Sequence, residues 1–150
     1  MPTFTLQQIK EISDQLDCGF RAFYHKTFGD LIFVPYMDKH FDIEVDAWKA
    51  EFDKLKKNKS RYQEIAAMDS RDSFRIMEDF ALQLSDTTLA DDLLEALQKK
   101  HPFRHFKFVI DNSSEFRQSW FDFKSKRQVE WTEDQIKIQE EINCGENASR

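Results

Sequence analysis

Apolar residues recur at helical spacing along most of this chain and alternate at strand spacing only in short stretches of its first half. Leu6, Ile9, Ile12 and Leu16 repeat every three or four positions, which predicts an amphipathic helix. Thr5 and Gln8 have the spacing of a capping box, where each side chain satisfies a free backbone N–H at the helix start. Gly19 is placed to end that helix in the left-handed conformation. Phe20–Lys26 and Leu31–Val34 then read as strands. Thr27-Phe28-Gly29-Asp30 between them forms a hairpin turn in which Gly29 supplies positive φ. Pro35 stops the second strand or holds it at a sheet edge.

Residues 38–58 carry two patterns. Phe41, Ile43 and Val45 alternate like a strand, while Phe41, Val45, Trp48, Phe52 and Leu55 fit a helix. The longer pattern is preferred, with Asp42 or Asp46 as its cap and Lys54, Lys56 and Lys57 complementing the carboxyl-terminal dipole. Arg61–Ala66 reads as a third strand with Tyr62 and Ile65 as its buried or bridging residues. From Ser70 onward every signal is helical. Ser70 caps a helix with Phe74, Met77, Phe80, Ala81 and Leu84, and Ser85-Asp86-Thr87 starts another with Leu89, Leu93, Leu94 and Leu97. Asp91 and Asp92 near the start of that second helix, and Lys99 and Lys100 at its end, suit its macrodipole. Pro102 opens a short helix over 102–110. A further helix carries Phe116, Trp120 and Phe123, and Thr132-Glu133-Asp134-Gln135 is a second capping box opening a last helix that Gly145 ends. The fold class expected is α+β: a small antiparallel sheet of two or three strands in the N-terminal half, then a C-terminal cluster of about five helices.

A length of 150 residues fits one domain, with 146–150 as a frayed tail. Charged residues make up 33% of the chain and aromatics 14%, which excludes both a disordered segment and a membrane protein. The amino terminus lacks the basic and apolar regions of a signal peptide. Cys18 and Cys144 do not form a CxxC pair, so reduced thiols in the cytoplasm are expected. Net charge is −6, unevenly spread. Residues 99–127 hold eight Lys or Arg against three acids, giving +5 and leaving −11 for the remainder. The asymmetry points to a partner for that segment.

Several fragments together resemble an uncharacterised bacterial protein family, number 0158 in the series of such families. They are Tyr24 with Thr27-Phe28-Gly29-Asp30, Ser70-Arg71-Asp72-Ser73-Phe74 leading to Met77 and Asp79-Phe80, Phe103-Arg104-His105-Phe106-Lys107, and Trp120-Phe121-Asp122-Phe123. The resemblance spans residues 5–131 and is strongest over 70–124. It implies a shared fold and no particular activity. Family members close with Trp-Leu, whereas Trp131 here precedes Thr132, so 132–150 reads as an added helix.

Candidate chemistry is sparse. His101 and His105 stand at i, i+4, a spacing suited to a metal, yet they straddle a helix start and lack a local third ligand; two solvated histidines are the preferred reading. Asp38, His40, Asp42, Glu44 and Asp46 alternate without the glycine and terminal glutamate of an EF-hand loop, so they read as a solvated face. The chain contains no GxSxG, phosphate loop, HExxH or CxxC motif. No cofactor or metal is therefore called for, and an enzyme with a carboxylate or Cys18 site assembled by folding is the third-ranked reading. Projected as a helix, 101–110 places Phe103, Phe106 and Ile110 on one face. Arg104, Lys107 and both histidines fall opposite, with Phe108 among them. Phe121 likewise lies off the face of Phe116, Trp120 and Phe123. Burial against another helix is the expected fate of Phe108 and Phe121, and contact with a ligand the alternative. Arg104, Lys107, Phe108, Arg117 and Phe121 are the candidate partner-binding residues. A protein partner is preferred and RNA or DNA is the alternative; oligomeric state is left open.

Overall fold

A computed structural model of the chain describes residues 2–36 and 45–148, without the side chains of Val45, Asp46 and 146–148. The order of elements is α1 (Leu6–Asp17), β1 (Phe20–His25), β2 (Leu31–Pro35), α2 (Lys49–Lys57), β3 (Tyr62–Ile65), α3 (Ser70–Gln83), α4 (Thr87–Leu97), α5 (Pro102–Asp111) and α6 (Ser114–Ala148). The architecture is α+β, with a three-stranded antiparallel sheet in the first half and mostly helices after it. Two compact units result: Met1–Ala67 with Val129–Arg150, and Met68–Gln128. Among the described residues no helix is long and apolar enough to cross a membrane.

In the sheet unit, local signals and structure agree closely. The Thr5–Gln8 capping box forms in both directions, at 2.9 and 3.1 Å. Gly19 follows α1 with φ 86°. β1 lies between β2 and β3, and β1 and β2 pair from Phe20↔Pro35 to Tyr24↔Leu31. Pro35 thus ends an edge strand, where a missing N–H breaks no central ladder. In the turn, His25 Nδ1 accepts the Thr27 and Phe28 N–H groups at 3.1 Å each, and Gly29 takes φ 78°. A Cβ on Gly29 would meet the Pro2 side chain at 3.0 Å, so a larger residue is opposed by both conformation and space.

Strand alternation divides the side chains between two faces. Ala22, Tyr24, Leu31, Phe33 and Ile65 pack with Ile9, Ile12 and Leu16 of α1 and Ile136 of α6. Phe23, Ile32, Val34 and Tyr62 turn the other way, against Phe52 and Leu55 of α2. On that second face Arg21 holds Glu64 bidentately at 2.8 and 2.9 Å, and its guanidinium lies 5.0 Å from the Phe23 ring centre.

Tyr24 is the polar anomaly of this core. It is 1% exposed, and its hydroxyl has no hydrogen-bond partner among the described residues. Burial, with the Glu140 carboxylate, pushes that hydroxyl up to about 12. A phenol titrating near 10 when unfolded and later when folded stabilises the fold below pH 10 and loses that contribution as pH rises through about 12. Tyr24→Phe should therefore unfold no more readily than wild type at pH 7, because an unpartnered buried group costs about 1–3 kcal/mol. It should also flatten the alkaline loss of stability measured by urea unfolding from pH 9 to pH 12. A clear destabilisation at neutral pH would show that the hydroxyl makes a necessary bond.

The helical unit is built around rings. Phe80, Phe106 and Trp120 are buried with Ile76, Leu89, Leu93, Leu97 and Ile110, and Phe74, Met77, Phe116 and Phe123 pack against them. Trp120 meets Phe106 and Phe80 edge-on, with centroids 4.9 and 5.3 Å apart. Pro102 is at the start of α5, as expected, and His101 before it is left-handed with φ 59°.

Five details differ from the sequence reading. Asp69, not Ser70, caps α3, its carboxylate accepting the Asp72 N–H at 2.9 Å. This hydrogen bond to the ionised form lowers the Asp69 pKa. α2 begins at Lys49 after a 3-10 turn over Val45–Trp48, with no side-chain cap, so Asp46 is not its cap; Asp42 and the strand-like Phe41 and Ile43 lie outside the described residues. α4 starts at Thr87 and ends at Leu97, leaving Asp91 and Asp92 beyond its first turn and Lys99 and Lys100 past its cap. Phe103, expected in the core, is 37% exposed, because the buried positions of α5 are Phe106 and Ile110. Finally, the two helices expected around Thr132 are one 35-residue helix, α6. Thr132 is 1% exposed within it, and Gly145 lies inside it rather than at its end.

Candidate functional site

Beyond Lys99 and Lys100, which precede α5, the +5 segment folds into α5 and the first half of α6, both in the helical unit. α5 buries Phe106 and Ile110, and the 3.6-residue period then turns Arg104, Lys107, Phe108 and Asp111 away from that core. Phe108 is 68% exposed. Arg104 and Lys107 are exposed as well, and neither has an ion pair among the described residues. On α6, Trp120 is buried and Phe121, one residue on, is 43% exposed. The expected burial of Phe108 and Phe121 is thus overturned: both rings are exposed among the described residues.

Arg117 joins the two helices of this surface. Its Nε lies 3.5 Å from Oδ1 of Asp111, the last residue of α5, and its guanidinium carbon is 5.4 Å from the centre of the Phe121 ring. Asp111 follows Phe108 by three positions and Lys107 by four, so all three share a face of α5. The five candidate residues therefore fall into one connected series. Arg104, Lys107 and Phe108 run down α5 to Asp111, which holds Arg117 against Phe121. Asp111, which the sequence pattern places in the turn Asp111-Asn112-Ser113-Ser114 and the structure places at the end of α5, is the link. Its position one helix-loop-helix step before Arg117 is the only sequence signal for that role.

The ion pair is exposed and worth little by itself, about 0–1 kcal/mol. What the surface offers is apolar ring area set among cations. Burying a phenylalanine fully is worth about 1.5–3 kcal/mol, and a guanidinium already lying over a ring is held in place before any partner arrives. Carboxylates are interleaved: Asp111 pairs with Arg117, and Asp122 accepts the Gln118 amide at 2.9 Å.

The other sequence candidates separate. His101 precedes α5 in the left-handed conformation while His105 lies within it, so the two do not share a helical face. No group of three or more metal-ligating side chains occurs among the described residues. In the sheet unit, Cys18 opens on a groove of about 700 Å³ that is also lined by Glu51, Lys54 and Trp48. That grouping is invisible in the sequence because Cys18 and Glu51 come from different helical ends. Cys144 is exposed near the end of α6.

Comparison with known proteins adds a lineage. A curated UPF0158 protein of Pseudomonas aeruginosa is 29% identical over 100 residues, covering 66% of this chain. This chain spans only 65% of that relative's length. No solved structure matches. The sequence model of an uncharacterised protein family, UPF0158, matches residues 3–146. The match runs past Trp131 through most of the second half of α6, so that segment is part of the family pattern and not an addition. With nearly its whole length matched, this chain belongs to the uncharacterised protein family UPF0158.

Proposed function

We propose that this UPF0158 protein is a small cytoplasmic binding module that docks another protein through α5 and the first half of α6. Phe108 and Phe121 serve as apolar anchors, and Arg104, Lys107 and Arg117 select an acidic partner surface. The observation that carries the reading is Phe108, 68% exposed on the same helical face as two cations that have no ion pair among the described residues. A ring in that position adds nothing to folding and suits the centre of an interface with a charged rim. The interleaved Asp111 and Asp122 favour a protein, whose acids can be placed only opposite the cations, over a nucleic acid, which brings a phosphate at every nucleotide along the face.

The test is affinity capture from native cytoplasm with wild type and with Arg104→Glu combined with Lys107→Glu, each with and without nuclease. The expected result is a protein partner that survives nuclease and disappears with the double variant, whose thermal unfolding stays unchanged. Loss of the partner on nuclease treatment, with association falling steeply as salt rises, would replace this reading by nucleic-acid binding.

A further inference from the structure

The second half of α6 carries the chemical complement of the α5 face. Residues 133–141 hold four acids, Glu133, Asp134, Glu140 and Glu141, against the single Lys137, giving −3. Within this acidic stretch and just beyond it, Ile138 and Ile142 are 46% and 49% exposed. They stand at i, i+4 and so share a helical face. Asp134 and Glu141, both exposed, lie at i−4 and i+3 from Ile138 and flank that isoleucine pair. The α5 face carries the opposite sign around the amino-terminal side of its ring: Phe108 has Arg104 at i−4 and Lys107 adjoining, while Asp111 at i+3 is engaged by Arg117.

We infer that the occupant of the basic aromatic face is the second half of α6 of a second copy of this chain, so that the protein self-associates. The inference rests on the reading of that face as a docking surface and names its partner. An amphipathic helix presenting apolar residues at i, i+4 is a common occupant of such surfaces. Opposite signs around two apolar centres fix which faces meet and speed their encounter, while like signs are rejected. Because every copy carries both faces, each copy can offer one and receive the other, whether the association closes on itself or continues head to tail. The charges stand at an exposed rim, so added salt weakens the association.

Sedimentation of the full chain over a range of concentrations, at low and high salt, tests this with two charge-reversed variants. One carries Arg104→Glu and Lys107→Glu, making both faces acidic. The other carries Asp134→Lys and Glu141→Lys, making both basic. All the replaced residues are exposed, and circular dichroism checks that each variant folds like wild type. Wild type is expected to associate, less so at high salt. Each variant alone is expected to associate at least about tenfold more weakly, since like charges then oppose each other. An equimolar mixture of the two variants is expected to recover association, because each acidic face then meets a basic one. A wild type that stays monomeric at every concentration would overturn self-association, even if the capture experiment still returns a foreign protein. Variants that associate as wild type does, or a mixture of folded variants that stays monomeric, would overturn the assignment of these two faces.

Discussion

Phe106→Ala should destabilise the protein by about 3–5 kcal/mol, the range for removing a fully buried aromatic ring. Phe106 is 1% exposed and sits edge-on to Trp120, whose ring in turn meets Phe80. Phe80 continues the series to Phe123, with centroids 5.4 Å apart. Rings locked against rings cannot close around a void as flexible aliphatic chains do, which places the expected cost toward the upper end. Urea unfolding should show a lower midpoint with an unchanged slope. The neighbour two positions along is the control: Phe108→Ala, at a 68% exposed site, should change stability by no more than about 0.5 kcal/mol. Equal effects from the two substitutions would contradict the burial assigned to both.

Glu133→Pro comes next in size, and it discriminates between two structures. If Thr132 capped a separate helix, Glu133 would be the first helical residue, the position where proline is most welcome. Within a continuous α6, proline there removes the hydrogen bond to the Val129 carbonyl and clashes with it, at a cost of about 3 kcal/mol or more. The expected result is a large loss of stability with a fall in helical circular dichroism. A variant as stable as wild type would restore the two-helix reading.

The features read correctly from sequence share a local cause. The Thr5–Gln8 capping box closes between residues three apart. The hairpin follows from Gly29 with φ 78° between two alternating stretches. Pro102 opens α5 because it lacks an N–H that would be unbonded in any case. Tyr62 and Ile65 were legible as buried, for strand residues have few places to go once a neighbouring strand is present.

The misreadings arise where two local solutions are nearly equal. Asp69 and Ser70 are both good caps, and one residue of register decides between them. Thr132-Glu133-Asp134-Gln135 satisfies a capping box equally well as the interior of a helix, since none of the four breaks one. The hydroxyl-bearing Thr132 becomes a buried core residue instead. The apolar repeat of Phe116, Trp120 and Phe123 is not continued by Thr132 and Ile136, and that break in period imitates a break in the helix. In fact the two halves of α6 serve different cores.

For the candidate site, sequence supplied the residues and left their environment undecided. It marked Arg104, Lys107, Phe108, Arg117 and Phe121 by charge asymmetry and by two rings off the apolar faces of their helices. Helical period alone establishes that Phe108 and Phe121 point away from Phe106 and Trp120. Whether another element covers them depends on packing between residues far apart in the chain, and periodicity carries no record of that. Only the tertiary structure leaves both rings exposed and brings Asp111 to Arg117 so that one surface spans two helices. Which side chains each helix turns outward follows from residue order alone, because that is set by the backbone's own geometry. The fold decided which outward faces remain in solvent, because burial is a property of neighbours.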